Sequence, residues 1–381
     1  MRIGIFTDTY PPFINGVSTS ITMLQKALTD KGHKVYIVTV NPENMSYKYD
    51  EDDSVIRIPG IPVGIYDYRL TGIYPIRAIN KIKKWNLDVI HSHTEFGIGT
   101  FARIISKQLQ IPLVHTYHTM YEDYVHYITK GHFDKSSKKI VEYLTKFYCD
   151  KTAKELIVPS TKTYKLFKEK YKFDKNVHIV PTGVEVERFY KENVSKEEIA
   201  KIKKELNLKK DDIVILYVGS GPDYEKYIQM AEKLKIKNNI LFTNAIPWED
   251  MPNYYNLADV FVTASKTETQ GLTVIEAMAA SLPVVCIEDE SFSNVVINHL
   301  NGRTFTDDKE YKMALLETIK DKKQLEKMAK QARITAEAHS LKYYAESILD
   351  VYNSAIEGSK KNKNIVTKIT EIVKRGLDGK E

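Results

Sequence analysis

The chain has 381 residues, 43% hydrophobic and 28% charged, which is the composition of a soluble globular protein too long for one small core. Its two cysteines lie far apart, no apolar run approaches the ~20 residues of a spanning helix, and no signal peptide precedes Arg2, so we expect neither a zinc finger, an integral membrane protein nor a secreted protein. The net charge is +6, and residues 130–175 alone carry 13 lysines against six acidic residues, a local excess that favours an anionic partner.

The first half of the chain alternates short apolar runs with amphipathic stretches. The predicted strands are Ile3–Thr7, Val35–Val40, Val55–Ile58, Val89–His93, Leu113–His118, Leu156–Pro159 and His178–Pro181. The predicted helices between them include Ser18–Lys31 and Ile98–Gln110. This alternation predicts a parallel sheet with helices on both faces.

The loop that follows the first predicted strand, residues 8–18, is a candidate ligand site. Ser18 is a predicted N-cap, and Gly16 would let a ligand approach the backbone where the helix begins. The G-x-G-x-x-G fingerprint is absent, which argues against nicotinamide cofactors. No serine or cysteine lies in a nucleophile-elbow pattern, so a hydrolase triad is not expected.

The acidic triplet Asp50-Glu51-Asp52 has the D-x-D spacing of some metal sites. No apolar strand leads directly into it, however, and we interpret it as a solvated turn.

Two predicted strands carry histidines, His91 and His93 on one and His115 and His118 on the next. A metal site is one interpretation, but these strands offer no carboxylate partner. His118 ends its strand, and the carboxyl ends of parallel strands face the ligand crevice, so His118 is the better candidate for polar or catalytic contacts. Hydrogen-bonded core histidines are the alternative, and His91 and His115 fit that alternative better.

A second series of strands follows a lysine-rich helix predicted at Lys196–Leu206. Its members are predicted at Ile213–Val218, Ile240–Phe242, Val260–Thr263 and Pro283–Ile287. The predicted fold class is therefore α/β, with two Rossmann-like doubly wound domains facing a cleft. The predicted bounds are residues 1–185 and 186–340, followed by a C-terminal helical segment at 341–381.

The most informative segment is the loop and helix between Ser265 and Ala279. A polar loop ends at Gly271 and leads into an apolar helix, whose first N–H groups suit an anionic ligand. Glu268 in the loop and Glu276 about two turns into the helix are eight positions apart, so both could reach one elongated polar ligand. The alternative is a solvated helix start with an unrelated buried glutamate.

The end of the chain is predicted to be helical. After the predicted helix Leu341–Glu357, apolar residues recur at helical spacing among lysines: Ile365, Val366, Ile369, Ile372 and Val373. This basic amphipathic tail could lie on a membrane surface or pack on the protein.

With these features the sequence resembles the retaining glycosyltransferases of family 4, which have the two-domain GT-B fold. Within that family it is most similar to the bacterial 1,2-diacylglycerol 3-glucosyltransferases. The resemblance covers nearly the whole chain, and the segments that carry it are Met1–Val40, Thr116–Tyr124, Pro181–Val184 and Glu268–Ala280.

The resemblance implies transfer of a hexose, with glucose expected, from a UDP-sugar to a membrane lipid such as diacylglycerol. Glu268 would bind the donor sugar hydroxyls, Glu276 the ribose, and His118 would face the sugar at the reaction centre. Such enzymes retain the anomeric configuration and are expected to need no metal, no other cofactor and no protein nucleophile. The other donor-binding residues would be Gly16, Thr269, Gln270, Gly271 and Leu272. Independently of the resemblance, the amides of Gly219, Ser220 and Gly221 form a loop before a predicted helix start at Pro222 and could cradle a phosphate.

The basic segment Thr129–Lys154 reads as an amphipathic helix that could dock on anionic lipids. The expected membrane and acceptor contacts are Tyr121, Tyr124, Lys135, Lys138, Lys139 and Lys146. Packing of this helix on the core is the alternative. No RNP-like motif or recognition helix is present, so nucleic acid is not expected. We expect a cytoplasmic protein, peripheral on the inner face of the membrane.

The sequence departs from the family near the start of the second domain. The family carries a Gly-Arg loop and a following lysine that neutralise the diphosphate, then a helix and a strand that lead to Gly-Asp-Gly-Pro. Here Leu216-Tyr217-Val218-Gly219 joins directly to Ser220-Gly221-Pro222, so a strand–helix unit on the order of 30 residues is missing. A smaller departure is Ser281, where the family usually has glycine.

Two alternative hypotheses stay open, and the missing unit motivates the first of them. One is a catalytically weakened relative that binds a nucleotide-sugar or the membrane. The other is a transferase that acts on a protein or saccharide acceptor.

Overall fold

The computed structural model describes residues 1–13, 15–50, 52–62, 69–119, 142–143, 145–146, 149, 153–218, 223–243, 246–266 and 268–378, and the backbone alone for 361–378. The chain divides into two compact units. The first contains Met1–Gly183 and Leu341–Glu381, and the second contains Val184–Ser340. The C-terminal segment, predicted as a separate part, thus groups with the first unit, and the boundary falls at 183/184 where 185/186 was predicted.

The described residues of the first unit form a large parallel sheet. Its strands are β1 (Arg2–Phe6), β2 (Lys34–Val40), β3 (Lys48–Tyr49), β4 (Val55–Ile58), β7 (Val89–Ser92), β8 (Leu113–Thr116), β9 (Glu155–Val158) and β10 (Asn176–Ile179). The strands β5 (Gly60–Pro62) and β6 (Arg69–Thr71) form a separate antiparallel pair. The order across the sheet is β10-β9-β8-β7-β1-β2-β4-β3, and every described pair is parallel except β3 with β4. The seven strands predicted for this half of the chain are confirmed, with ends shifted by one or two residues.

Helices cover both faces of this sheet. They are α1 (Gly16–Asp30), α2 (Ile76–Trp85), α3 (Gly97–Leu109), α4 (Thr161–Lys165) and the C-terminal helix Leu341–Asp378. One core cluster joins α1 and the C-terminal helix to the sheet, and another joins α2 and α3 to it. Every residue of β7, β8 and β9 is buried, as expected for parallel strands covered on both faces.

The strand order reverses beside β1. The chain passes from β1 through α1 to β2 on one side, whereas β7 and β8 lie on the other side of β1. The loops after β1, β7 and β8 therefore meet at one carboxyl edge of the sheet. Such a switch point is where open parallel sheets bind ligands.

The second unit contains a smaller parallel sheet. Its elements are α5 (Lys196–Glu205), β11 (Ile215–Leu216), α6 (Tyr224–Lys233), α7 (Met251–Leu257), β12 (Val260–Thr263), α8 (Leu272–Ala279), β13 (Val284–Ile287), β14 (Gly302–Phe305), α9 (Asp308–Lys320) and α10 (Lys322–Glu337). Within the described residues the strand order is β11-β12-β13-β14, all parallel. Four strands fit the prediction that this domain lacks one strand–helix unit.

The predicted strand at Ile240–Phe242 is wrong, because this segment has no strand pairing. A strand requires a neighbour, and β11 at this edge pairs only two residues with β12. Ile240 and Leu241 stay exposed as a result. The strand β14 was not predicted, since its sequence Gly-Arg-Thr-Phe has neither an apolar run nor clean alternation.

The C-terminal helix continues through Gly358 to Asp378, beyond the predicted end at Glu357. Its apolar residues beyond 360 lie where the structure describes the backbone alone. Neither this helix nor any other in the described part of the chain has an apolar stretch long enough to cross a bilayer.

Candidate functional site

The loop between β12 and α8 carries the strongest sequence signal, and its backbone requires a glycine. Gly271 precedes the first residue of α8 with φ +78°, in the left-handed region that favours glycine. A Cβ atom there would lie 2.4 Å from Cε1 of Phe292, a buried ring. A side chain at this point would therefore strain the backbone and displace the Phe292 ring.

Glu268 is held by its own loop. The Ser265 hydroxyl donates a 3.1 Å hydrogen bond to Oε1 of Glu268, which is half-buried. The backbone N–H of Ser265 in turn donates to Oγ1 of Thr263, at 3.3 Å. Of the neighbouring predicted residues, Thr269 is half-buried and Gln270 is buried. The loop thus presents a carboxylate whose position is set by hydrogen bonds.

Glu276 lies on α8 and is held by hydrogen bonds from neighbouring elements. The Tyr255 hydroxyl on α7 donates to Oε2 of Glu276 at 2.9 Å, and the Trp248 side chain donates a second bond. Burial raises the pKa of Glu276 above its ordinary value, while the Tyr255 bond, the charge of Arg188 and the Trp248 bond oppose that rise. Glu276 is therefore a polar group within a largely apolar neighbourhood, not part of a solvated helix surface.

Arg188 is a cation near this glutamate that the sequence did not reveal. It lies in a 3-10 turn, Val186–Phe189, and its guanidinium carbon is 3.4 Å from the centroid of the Trp248 ring. Its Nη2 donates to the Trp248 carbonyl oxygen at 2.9 Å. Only tertiary packing brings these residues together, since 60 positions separate them in the chain.

In chemical terms, the second unit offers two anchored carboxylates around a helix start. The N–H groups of Leu272 and Thr273 precede the first hydrogen-bonded turn of α8, in which the Val274 N–H donates to the Gly271 carbonyl at 3.1 Å, and the helix dipole adds positive character at this end. Carboxylates bind hydroxyl groups and a helix start binds an anion. The predicted residues Gly219, Ser220 and Gly221 lie outside the described residues.

In the first unit, His118 lies at the carboxyl edge of the sheet, directly beyond β8. Its Nε2 is 2.8 Å from Nδ1 of His93, which follows β7, so one ring donates to the other. Burial lowers the pKa of His118 to about 4, against the opposing charge of Glu95, so the ring is neutral near pH 7. Nε2 of His93 is buried and has no hydrogen-bond partner in the described structure.

His91 and His115 are satisfied core histidines, which confirms the alternative favoured for them. His91 bonds through Nδ1 to the Tyr352 hydroxyl and through Nε2 to the Thr116 hydroxyl, both at 2.7 Å. His115 bonds to the Ser92 hydroxyl at 2.8 Å and to Oε1 of Glu95 at 3.1 Å.

Two buried carboxylates at this edge were missed by the sequence analysis. Asp8 follows β1 and accepts hydrogen bonds from the Thr94 hydroxyl at 2.5 Å and the Ile98 N–H at 3.0 Å, near the start of α3. Burial raises the pKa of Asp8 to about 6, although these bonds oppose the rise. Glu95, which bonds His115, is the second. Their position just after buried strands was the available signal.

Within the described residues, one group of side chains has ligand atoms close enough together to hold a metal ion: Glu95, His115 and Cys149. Their ligand atoms lie within 4.8 Å of one another and all three residues are buried. The Arg103 guanidinium nearby helps to lower the pKa of His115, whose main cause is burial. A bound cation would meet that positive charge, so a His115–Glu95 hydrogen bond explains the cluster better.

The start of α1 differs from the prediction. Asn15, not Ser18, caps the helix, and its side-chain oxygen accepts from the Ser18 N–H at 2.9 Å. Asn15 is an equally good capping residue three positions earlier, and it leaves Ser18 buried inside the first turn. Gly16 is the first helical residue, and a Cβ atom there would meet nothing within 4 Å. The turn itself therefore places no steric demand on Gly16.

Among the predicted membrane and acceptor contacts, the structure describes Lys146. It forms a 3.0 Å ion pair with Glu142 and lies over the Tyr171 ring, 5.2 Å from its centroid. Thr145 and Cys149, one helical turn apart, are buried. At these two described residues the chain thus packs on the core. Tyr121, Tyr124, Lys135, Lys138 and Lys139 lie outside the described residues.

Asp50, Asp52 and Asp53 lie between β3 and β4 and are at least partly exposed, which agrees with the interpretation as a solvated turn. The Asp50 N–H donates to the Val55 carbonyl at 3.2 Å, and Asp53 has φ +59°.

The two Rossmann-like units in one chain have the architecture of the GT-B fold, which solved glycosyltransferases share. Anabaena HepE, solved in complex with UDP, superposes with a TM-score of 0.69 at 14% identity, covering 93% of this chain and 100% of that one. The model described as "Glycosyltransferase Family 4" matches residues 14–188, and "Glycosyl transferases group 1" matches 164–335.

Two curated relatives extend the similarity over most of the chain. An alpha-monoglucosyldiacylglycerol synthase of Acholeplasma laidlawii is 32% identical, covering 96% of this chain and 100% of the relative. One of Streptococcus pneumoniae is 33% identical over 84% of this chain and 78% of the relative. The chain belongs to glycosyltransferase family 4. Its alignment with the first relative spans 401 residues, more than the 381 of this chain, so that relative has residues without a counterpart here.

Proposed function

We propose that the protein transfers glucose from UDP-glucose to diacylglycerol, with retention of the anomeric configuration. The observation that carries this proposal is the pair of anchored carboxylates, Glu268 and Glu276, around the start of α8 in a chain of glycosyltransferase family 4. Support for the lipid acceptor comes from the two relatives named as monoglucosyldiacylglycerol synthases, and support for a UDP donor from the UDP complex of HepE.

In this proposal the second unit binds the donor. Glu268 accepts hydrogen bonds from hexose hydroxyls, and Glu276 from the ribose. The N–H groups of Gln270, Gly271 and Leu272 meet the sugar and the diphosphate, with Thr269, Gly219, Ser220 and Gly221 as further donor contacts. These roles follow the chemistry of the groups: ionised carboxylates accept from hydroxyls, and N–H groups donate to phosphate oxygens.

The reaction needs no protein nucleophile and, we propose, no metal. The acceptor hydroxyl oxygen forms a bond to the anomeric carbon, the bond from that carbon to the diphosphate oxygen breaks, and the acceptor proton leaves with UDP. His118 and Gly16 of the first unit are assigned to the sugar and to the diphosphate. Because its low pKa keeps His118 neutral, it can act as a hydrogen-bonding group without adding charge.

We further propose that the protein acts at the cytoplasmic face of the membrane. The lysine excess in residues 130–175 would attract anionic lipids, each basic residue near the surface contributing roughly 1 kcal/mol. The proposed membrane and acceptor contacts are Tyr121, Tyr124, Lys135, Lys138, Lys139 and Lys146. Of these, Lys146 is paired with Glu142, so it should contribute less than an unpaired lysine would.

A specific observation favours a second candidate, a weakened relative that binds the donor without efficient transfer. The strand–helix unit with the family's Arg and Lys is missing, and loss of fixed positive charge at a leaving diphosphate costs turnover more than binding. Arg188 is a cation near Glu276, but it lies against Trp248.

Radiolabelled UDP-glucose incubated with the full chain and diacylglycerol in anionic vesicles separates these candidates. Labelled glucolipid, formed faster on anionic than on neutral vesicles, is the expected result. Donor binding without any glucolipid would support the weakened relative. Product that forms only on a soluble saccharide or protein acceptor would overturn the lipid assignment.

A further inference from the structure

We propose that Tyr255 is a positioning residue for Glu276, whose hydroxyl group holds the carboxylate in the orientation that receives the ribose hydroxyls of a nucleotide. The inference rests on the proposed function, because it assumes that Glu276 binds the ribose. Tyr255 carries no motif and was not a candidate in the sequence.

The geometry fixes the Tyr255 hydroxyl in space. The ring is fully buried. It packs edge-on against Phe189, with centroids 5.5 Å apart, and at a tilt against Phe261, with centroids 6.0 Å apart. A ring enclosed in this way cannot swing, so its hydroxyl has one location. From there it donates to Oε2 of Glu276 at 2.9 Å.

Packing alone does not account for a tyrosine at this position. The ring lies in the main apolar cluster of the second unit, where phenylalanine would fill the same space. A buried hydroxyl costs free energy unless it is hydrogen-bonded. The hydrogen bond to Glu276 therefore explains why this position carries a tyrosine and not a phenylalanine.

The remaining polar neighbours of Glu276 are also in the second unit. Trp248 donates the other side-chain hydrogen bond and Arg188 supplies the positive charge. Glu185 and Glu249 face Arg188 in turn, so part of its charge is balanced. Of the two hydrogen bonds that lower the pKa of Glu276 against the effect of burial, the one from Tyr255 has the larger effect.

The Tyr255 bond has a consequence that depends on pH. Burial already raises the pKa of Glu276, and loss of the Tyr255 hydroxyl would raise that pKa further. A protonated carboxyl group loses an acceptor site, so it binds two ribose hydroxyls less well. Nucleotide affinity without the hydroxyl should therefore fall more steeply as the pH is lowered.

The experiment measures UDP binding to the full chain by calorimetry at pH 8, 7 and 6, without sugar or lipid. For Tyr255→Phe we expect UDP affinity to fall roughly tenfold at pH 7, as for the loss of a hydrogen bond to a charged group, and further at pH 6. Tyr311→Phe is the matched control, because Tyr311 packs on Phe305 in another core cluster. It should bind UDP like the wild type at every pH.

A merely structural role would lower the affinity equally at all three pH values, and that result would overturn the inference. So would unchanged binding by Tyr255→Phe. Trp248→Phe removes the other hydrogen-bond donor to Glu276, and because the Trp248 ring is exposed this variant should fold. Its UDP affinity should show the same pH dependence, so it provides a second measurement if Tyr255→Phe fails to fold. A wild-type chain that binds no UDP would instead contradict the proposed function.

Discussion

Single residues at the start of α8 show how a short motif acquires a defined geometry. Glu268 is oriented by Ser265, and Glu276 by Tyr255 and Trp248. The glutamate spacing was visible in the sequence, but the groups that orient Glu276 come from other elements and were not. Two glycines are predicted to contact the donor, Gly16 and Gly271. The fold requires a glycine at position 271, where φ is positive and a Cβ atom would overlap Phe292, but it does not require one at position 16.

Gly271→Ala is expected to destabilise the second unit by roughly 2–5 kcal/mol. The cost has two sources, the positive φ and the overlap of the new Cβ with the buried Phe292 ring. Urea unfolding followed by tryptophan fluorescence measures it. The double variant with Phe292→Leu should regain part of the loss, and an unfolding midpoint equal to that of the wild type in Gly271→Ala alone would refute the strain.

Gly16→Ala is expected to leave stability unchanged or slightly raised. The added Cβ has open space, and alanine is a better helix former than glycine by up to about 1 kcal/mol. If the donor diphosphate approaches Gly16, the same methyl group should raise the KM for UDP-glucose at least tenfold. Steady-state kinetics beside thermal unfolding measures both effects, and an unchanged KM would remove Gly16 from the donor site.

At the level of secondary-structure elements, α8 ends in a hydrogen-bonded Schellman motif. The Leu282 N–H donates to the Ala277 carbonyl, and the Ser281 N–H to the Met278 carbonyl, both at 2.9 Å. Ser281 adopts φ +65°, the left-handed conformation that this motif requires. The family's usual glycine at this position thus has a backbone reason, and the serine here carries strain.

Ser281→Gly should therefore stabilise the second unit by ~1 kcal/mol. Ser281→Ala keeps the Cβ and its steric cost, so it serves as the control and should stay within about 0.5 kcal/mol of the wild type. Chemical denaturation measures both. Equal stability of the glycine and alanine variants would show that the left-handed backbone carries no penalty here.

Predictability also differs between elements. The buried strands β7, β8, β12 and β13 each contain an apolar run of two to four residues, and all four were located from the sequence. The segment Ile240–Phe242 has the same local composition but no neighbour to pair with, and a sheet partner is not a local property. The Asn15 cap was missed because Asn15 and Ser18 are comparable capping residues on local grounds.

On the scale of the whole molecule, the first unit contains a group of four histidines, His91, His93, His115 and His118, whose pKa values burial lowers. Burial lowers the pKa of His91 and His93 well below the ordinary 6.5, lowers that of His115, and brings that of His118 to about 4. Between pH 6.5 and about 4 the unfolded chain binds protons that the folded chain does not. Stability therefore falls as the pH falls through this window.

Asp8 acts in the opposite direction. Burial raises its pKa to about 6, so the folded state takes up a proton there before the unfolded state does. The proton that Asp8 takes up offsets the effect of one histidine at most, so the net effect of the four histidines is a loss of stability as the pH falls.

We therefore predict acid-labile folding of the first unit, with a loss of about 1.4 kcal/mol per pH unit for each histidine that the folded state keeps neutral. Trp85 lies in the first unit and Trp248 in the second, so a Trp248→Phe background leaves one buried reporter. Urea unfolding at pH 7, 6, 5 and 4.5 gives the slope. His91→Gln should reduce it by one proton, and a slope that is unaffected by that substitution would contradict the assignment.

The two-unit α/β architecture and the family follow from the sequence because they rest on repeated local patterns and a long motif. The site geometry does not follow in the same way. Its side-chain contacts depend on which strands and turns become neighbours. Examples are the contacts of His93 with His118, of Glu95 with His115 and of Arg188 with Trp248. Local sequence can nominate one member of such a pair, as it did His118, but it leaves the partner to tertiary packing.

The central claim is that the Glu268 carboxylate binds the donor sugar. Its most direct test is the rate of glucose transfer by the Glu268→Ala variant, measured with radiolabelled UDP-glucose and diacylglycerol in anionic vesicles. The claim predicts that glucolipid formation falls by roughly 10²-fold or more while the unfolding midpoint stays close to that of the wild type. Glu326→Ala, which removes an exposed glutamate from α10, should leave transfer unchanged. Wild-type transfer rates in the folded Glu268→Ala protein would contradict the claim that this carboxylate binds the donor sugar.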